Sequence, residues 1–232
     1  MSGSLGDVLR GNRYPGRGVL WCRTADGEVC GGYFLTGRTA ASRGRTLRLT
    51  TDDELIVGPA DDRAHDALRH YTAARQSGEW LVFGNGEQVA TVAGRLAAGQ
   101  APAEALDGLD YEPDPPILTR RLTVVASAGS AAPVWFGAAR HSGAARTATD
   151  RLTLRVGALE PGEGVLMTTY LSDGVTVATG APFTQTRTTA ADRAELLDDI
   201  WSALTPELRV AAATFAPHGL AAAGIRQALP VS

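Results

Sequence analysis

The 232-residue chain contains no lysine, so all 22 of its basic residues are arginine. That absence removes a Schiff-base lysine, a Walker-type phosphate lysine and a lysine general base from the candidate chemistries. The bias of a GC-rich genome, which replaces Lys and enriches Ala and Gly, explains the shortage but not where the arginines cluster. Cysteine is scarce as well. Cys22 and Cys30 have seven residues between them, which is neither a metal-knuckle nor a redox-motif spacing, and the four histidines are scattered, so no zinc pattern forms. The two cysteines read as buried thiols in a reducing compartment. No run reaches about 18 apolar residues, and residues 1–10 lack a basic patch followed by an apolar stretch. The expectation is a cytoplasmic protein, neither exported nor membrane-bound. A net charge of −3 argues against a broad nucleic-acid face, which shifts the balance to basic.

What is present is a rich set of short strand signals. Two-residue alternation with β-branched and aromatic residues predicts strands at Val19–Thr24, Val29–Thr36, Thr46–Thr50, Trp80–Phe83, Leu118–Ser127, Val134–Ala138, Leu152–Val156, Val165–Leu171 and Val175–Thr179. Turn dipeptides such as Asp26-Gly27 and Asn85-Gly86 separate them. Helical spacing predicts Asp61–Arg75, Gln88–Ala98 and Ala190–Leu204, the last with a capping box from Thr189 to Asp192. Arg209–Phe215 reads as a further strand, and Leu220–Leu229 as a short helix. Strands grouped with helices segregated between the groups predict an α+β layered fold. No linker or repeat divides the chain, so one domain over 1–232 is expected.

Four strings could carry chemistry. Asn12-Arg13-Tyr14-Pro15-Gly16-Arg17-Gly18 sets an arginine on a tight turn, where guanidinium and backbone N–H groups suit a phosphate or carboxylate; a solvated surface turn is the plain alternative. Thr36 to Arg45 mixes Arg38, Arg43 and Arg45 with Ser and Thr hydroxyls, a composition that holds a phosphate monoester through bidentate forks. The alternative there is a basic hairpin neutralised by Asp52-Asp53-Glu54. Gly84-Asn85-Gly86 reads first as strand-end geometry. Asp110-Tyr111-Glu112-Pro113-Asp114, followed by Thr119-Arg120-Arg121, puts acid, base and cation in one stretch. Tyr71, spaced with Ala64, Leu68 and Ala74, reads as part of the apolar face of a helix.

Taken in order, these strings resemble the inosine-5′-monophosphate (IMP) cyclohydrolase family of archaeal type and its bacterial relatives. The matching features are Asn12-x-Tyr14-Pro15-Gly16-Arg17-Gly18, Gly37-Arg38-Thr39 with Ser42-Arg43-x-Arg45, Tyr71, Asn85-Gly86, and Tyr111-Glu112-x-Asp114 with Thr119-x-Arg121, then more weakly Gly164–Tyr170 and Gly174. The resemblance implies a four-layer αββα sandwich like that of the N-terminal-nucleophile hydrolases, without self-processing. It implies closure of the purine ring of a formamido-imidazole-carboxamide ribonucleotide with loss of water, needing no metal or other cofactor. Tyr71 and Glu112 would handle protons and water, and Arg38 would polarise an oxygen of the formyl or carboxamide group. Tyr14, Arg17, Ser42, Arg43, Arg45 and Arg121 would hold phosphate and ribose. Asn85 with Gly86, Tyr111 and Asp114 would contact the base or order its loop.

The chain departs from the family pattern at Ala41 and Thr72, where Asn is usual, at Gly84, where Ser is common, and at Val89-Ala90, where Thr-Asp is usual. Each lost side chain removes a hydrogen-bond partner worth about 1 kcal/mol. Two alternatives therefore stand beside the leading one: a divergent homologue acting on a related imidazole or purine nucleotide in specialised metabolism, and a catalytically silent purine-nucleotide binder. The expected partner is a small nucleotide, with no nucleic acid and no membrane, and a homo-oligomer is left open.

Overall fold

The computed structural model describes residues 3–60, 70–129, 133–142, 148–173, 177–178 and 184–228. The chain enters through β1 (Gly3–Ser4) and α1 (Leu5–Gly11), then forms a hairpin of β2 (Arg17–Arg23) and β3 (Val29–Thr36). A single helical turn, α2 (Ala40–Arg43), leads into β4 (Arg45–Leu49), β5 (Glu54–Pro59), β6 (Tyr71–Ser77) and β7 (Trp80–Gly84). Helices α3 (Gln88–Ala97) and α4 (Pro102–Leu106) precede β8 (Arg121–Ser127), β9 (Val134–His141) and β10 (Thr149–Val156). The chain continues through β11 (Glu163–Thr168), β12 (Leu171–Ser172), β13 (Val177–Ala178) and β14 (Thr184–Arg187), then α5 (Arg193–Ala203), β15 (Arg209–Ala216) and β16 (Gly219–Gln227).

Among the described residues the strands form two large sheets and a small ribbon, a mixed α+β architecture. The first sheet runs β1-β14-β11-β2-β3-β15-β16, and the second is a meander in the order β10-β9-β8-β7-β6-β5-β4. Side chains alternate between the two faces of a strand, and β2 and β3 use both. Val19, Trp21, Tyr33 and Leu35 point toward the second sheet and pack with Phe83, Leu122, Val124 and Phe136. Leu20, Cys22, Cys30 and Phe34 point the other way, under Leu5 and Leu9 of α1 and Leu196, Leu197 and Ile200 of α5. On the far side of the second sheet, Val89, Val92 and Leu96 of α3 and Leu106 of α4 cover Val82, Val125 and Ala139. Cys22 and Cys30 face each other across β2 and β3 as free, buried thiols with sulfurs 3.4 Å apart.

Three expectations need correction. The helix over Asp61–Arg75 falls partly on 61–69, outside the described residues, but Tyr71–Ser77 is strand. Its Ala- and Arg-rich local preference yields to the pairing of Tyr71 with Val57 and of Ala74 with Phe83 inside the sheet, a case of tertiary context overriding propensity. Tyr71 accordingly sits on a strand rather than a helix. The same competition decides the C-terminal segment, where the expected helix over Leu220–Leu229 is instead β16, paired antiparallel with β15 from Ala216↔Gly219 to Ala211↔Gln227. At α5 the cap lies three residues later than expected: Asp192 accepts the Glu195 amide at 2.8 Å, and Glu195 reaches back to the Ala191 amide at 2.7 Å. The strand expected at Val175–Thr179 lies mostly outside the described residues, which retain Val177–Ala178. β5, α1 and α4 had no counterpart in the sequence reading.

Candidate active site

Strand parity explains where the charged residues go. Arg17 shares the parity of Val19 and Trp21, and Arg45 that of Leu47, so both point between the sheets, at the end where the apolar core stops. There they help line a cleft of about 270 Å³ with Tyr14, Arg38, Ser42, Glu112, Asp114 and Tyr170. The exposed turn expected for Arg17 is not what forms. Its side chain is 8% exposed and grips Glu112, itself 4% exposed, through both terminal nitrogens at 2.9 Å. Nη1 of Arg17 also donates to the Asn85 carbonyl at 3.0 Å. Such two-pronged, charge-assisted contacts fix orientation as well as charge.

Electrostatics follow from that burial. Burial pushes the Glu112 carboxyl above the usual carboxylate range, and the Arg17 charge and hydrogen bond offset this only in part. Desolvation works against the charge on Arg17, but Glu112 together with Tyr71, Tyr170 and Tyr33 more than offsets it, so the guanidinium stays protonated. Arg45 is buried as well and is anchored to the backbone by Nε on the Ser42 carbonyl at 2.8 Å and Nη2 on the Thr36 carbonyl at 3.1 Å.

The rest of the wall is aromatic and hydroxylic. Tyr14 and Tyr170 stack with centroids 5.6 Å apart, and the Arg38 guanidinium lies over the Tyr14 ring at 4.7 Å. The Tyr170 hydroxyl meets Thr119 Oγ1 at 2.6 Å, and Thr119 in turn donates its hydroxyl and its amide to Asp114, both at 2.6 Å. Asp114 therefore orders the loop that carries Glu112. Gly16 closes the cleft behind Arg17 with φ of +73°, and a Cβ there would fall 2.1 Å from Thr169 Oγ1. We expect Gly16→Ala to cost about 1–3 kcal/mol from overpacking and to displace Arg17. Urea denaturation checks the first effect, and an unchanged midpoint would contradict it.

The other sequence candidates lie around the cleft rather than on its wall. Tyr71 is 5% exposed, and its hydroxyl meets that of Tyr33 at 2.6 Å, joining the two sheets beneath Arg17 and Arg45. Tyr33 was missed by the sequence reading; its only signal is a hydroxyl-bearing residue inside an apolar strand. Asn85 is fully buried; its side chain donates to the Arg120 carbonyl at 2.9 Å and to Glu112 Oε1 at 3.5 Å, and accepts from the Leu122 amide at 2.6 Å. Its backbone carbonyl is the part that serves Arg17. Gly86 keeps the turn slim, since a Cβ there would approach Gln88 Oε1 at 2.7 Å and Glu112 Oε1 at 3.4 Å. Arg43 donates to the Arg38 carbonyl at 2.8 Å, Arg121 pairs with Glu87 at 2.8 Å, and Tyr111 packs edge-on against His141. Among the described residues no group of three His, Cys, Asp or Glu side chains is placed to hold a metal ion.

A mixed α+β scaffold that gathers arginines, stacked tyrosines and a buried carboxylate into one cleft has the makings of an enzyme for a planar, anionic substrate. Residues 14–219 match the family described as IMP cyclohydrolase-like protein, and the chain belongs to it. Among curated proteins it is similar to the IMP cyclohydrolase of Methanopyrus kandleri, with 29% identity over 163 residues, covering 68% of this chain and 75% of the relative. It is also similar to the IMP cyclohydrolase of Haloquadratum walsbyi, with 34% identity over 94 residues, covering 38% of this chain and 47% of the relative.

Proposed function

We propose that this protein is a purine-ring-closing cyclohydrolase, converting the formamido-imidazole-carboxamide ribonucleotide to inosine monophosphate and water. The observation that carries the reading is the buried Arg17–Glu112 pair at the floor of an arginine-lined cleft, in a chain of this family. In the reaction the carboxamide nitrogen attacks the formyl carbon and forms the C–N bond of a cyclic carbinolamine. The oxyanion takes up the proton lost by the attacking nitrogen, and the hydroxyl so formed leaves as water with the proton of the former formamido N–H as the ring C=N bond forms. The chemistry asks for orientation, for stabilisation of the developing oxyanion and for one proton shuttle.

Each demand has a residue. The Tyr14–Tyr170 stack supplies an aromatic wall beside the planar base, while Ser42 and Arg45, with Arg43 at the rim, hold the phosphate. Arg38 polarises the formyl oxygen. Glu112 relays protons from the substrate nitrogens to the oxygen that departs as water, and Arg17 acts by orienting Glu112 rather than by holding phosphate. The Tyr71–Tyr33 hydroxyl pair supplies a second proton route beneath the cleft. Asn85, Gly86, Asp114, Tyr111 and Arg121 shape and brace the loops around it. The helices covering the outer face of each sheet support an αββα sandwich resembling the N-terminal-nucleophile hydrolases, and the shared core between the sheets supports a single domain. No helix among the described residues is long and apolar enough to cross a membrane, in keeping with work in the cytoplasm on a small nucleotide.

The test is turnover. Purified, folded protein mixed with the formamido nucleotide should generate the hypoxanthine absorbance; no turnover above background, with inosine monophosphate still raising the melting temperature, would favour a silent nucleotide binder. The pH profile is a second expected outcome. Glu112 must be ionised to accept the proton, so kcat/KM should rise with pH through its raised pKa. The acidic limb should therefore lie above the value of about 4.3 of an ordinary glutamate and disappear in Glu112→Gln.

A further inference from the structure

Gln88, the first residue of α3, is only 1% exposed although its side chain ends in an amide. Its Nε2 donates to the Asn85 side-chain oxygen and to the Leu122 carbonyl, both at 3.1 Å. A backbone carbonyl only accepts, so the Leu122 contact fixes which end of the amide is nitrogen. Oε1 is therefore turned the other way, and among the described residues it has no hydrogen-bond partner. A buried acceptor in this state costs free energy and calls for a donor.

The surroundings of that oxygen narrow the choice of donor. A Cβ on Gly86 would stand 2.7 Å from Gln88 Oε1 and 3.4 Å from Glu112 Oε1. The two oxygens thus border one small space, the one Gly86 leaves by having no side chain. Ionised Glu112 has nothing to give to Gln88, since its oxygens only accept and take their donors from Arg17 and Asn85. Protonated Glu112 has an O–H to donate.

We propose that Gln88 is a positioning residue for Glu112: its Oε1 accepts the hydrogen bond of the protonated carboxyl, giving a partner to the acid form through which the proton relay passes. The relay itself rests on the ring-closing reading. Other groups act on the same carboxyl. Burial raises its pKa, the Arg17 charge and hydrogen bond lower it, Asp114 raises it and Arg121 lowers it, while Arg38, Arg45, Tyr14 and Tyr170 line the cleft beside it. Substitution at Gln88 removes none of these. Asn85 also stays pinned by the Arg120 carbonyl and the Leu122 amide, so the loss of Gln88 Oε1 is read on its own.

Carbon-13 NMR of the full chain, following the side-chain carbonyl carbons of Glu112 and Gln88 against pH, tests this without turnover. The Glu112 signal is assigned by its loss in Glu112→Gln. In the wild-type protein the Gln88 carbonyl carbon should move to higher frequency as Glu112 takes up its proton, with the same midpoint. Gln88→Met, close in shape but without the acceptor, should lower the Glu112 midpoint by about 0.5–1 pH, the worth of one hydrogen bond. The acidic limb of kcat/KM should move with it, with KM little changed. Gln88→Glu keeps an acceptor at that place and adds a negative charge when ionised, so the midpoint should stay or rise. A merely structural role would act differently, because a loosened turn lets water reach Glu112 and lowers the midpoint in both variants. That result, a Gln88 carbon indifferent to the Glu112 titration, or an unmoved midpoint in Gln88→Met would overturn the proposal. Should a variant not fold, the wild-type Gln88 signal decides alone. If ring closure fails in the turnover assay, the ring-closing reading falls, and the NMR titration still decides whether Gln88 holds the protonated carboxyl.

Discussion

Glu112→Gln should lower kcat by about 10²–10⁴-fold, the usual worth of a positioned proton-transfer group. Gln keeps the shape and can still accept a hydrogen bond from Arg17, but it cannot take up and return the proton. KM should change much less than kcat, because phosphate and base are held by other residues. The measurement is steady-state turnover on a sample shown to be folded, with nucleotide binding followed separately. A kcat within a few-fold of wild type would remove Glu112 from the proton path and leave Tyr71 and Tyr33 as the remaining route.

The largest effect on stability is expected at its partner. Arg17→Met leaves the Glu112 carboxylate buried without its counter-charge, and breaking a buried pair in this way costs about 3–5 kcal/mol. For a chain of this size each kcal/mol moves the melting temperature by about 2–4 °C, so a fall of about 6–20 °C should be visible by differential scanning calorimetry. The pair also predicts non-additivity. In a cycle with Glu112→Gln, the double variant should lose less than the sum of the singles, by about 0.5–3 kcal/mol. Additive losses would mean that the two side chains act separately, against the 2.9 Å contacts between them.

The sequence made the strand-rich α+β class readable because the alternating apolar runs of β2, β3, β7 and β8 survive in the sheets. It failed where local preference and tertiary pairing disagree. The segment around Tyr71 and the alanine-rich C-terminal segment both have helix-like composition, yet ladder bonds to β5, β7 and β15 make them strands. For the site, the ordered strings brought forward Tyr14, Arg38, Ser42, Arg45, Glu112 and Asp114, which lie far apart in the chain and share one cleft wall. Arg17 was found by its motif and misread in its setting, since burial beside a carboxylate 95 residues away is a property of the fold. Arg121 illustrates the opposite case: it belongs to the motifs, but its side chain pairs with Glu87 rather than lining the cleft, whereas the Asn85 amide divides between backbone groups and Glu112. Tyr33 had no motif, and its importance lies in a contact across the two sheets.

The arginines show why the missing lysines matter to the site. A lysine ammonium is a flexible point charge, whereas the Arg17 fork holds two carboxylate oxygens and a carbonyl at once, and Arg45 binds two carbonyls while facing the cleft. Composition bias supplied the residue type, and strand parity decided which of them converge.

The most direct test of the account is a crystal structure of the protein with inosine monophosphate. The phosphate is expected against Ser42 and Arg45, the hypoxanthine along the Tyr14–Tyr170 wall, and the ring edge that carries the former formyl carbon facing Arg38 and Glu112. A nucleotide bound elsewhere, or in this cleft with its base directed away from Glu112, would contradict the proposed site.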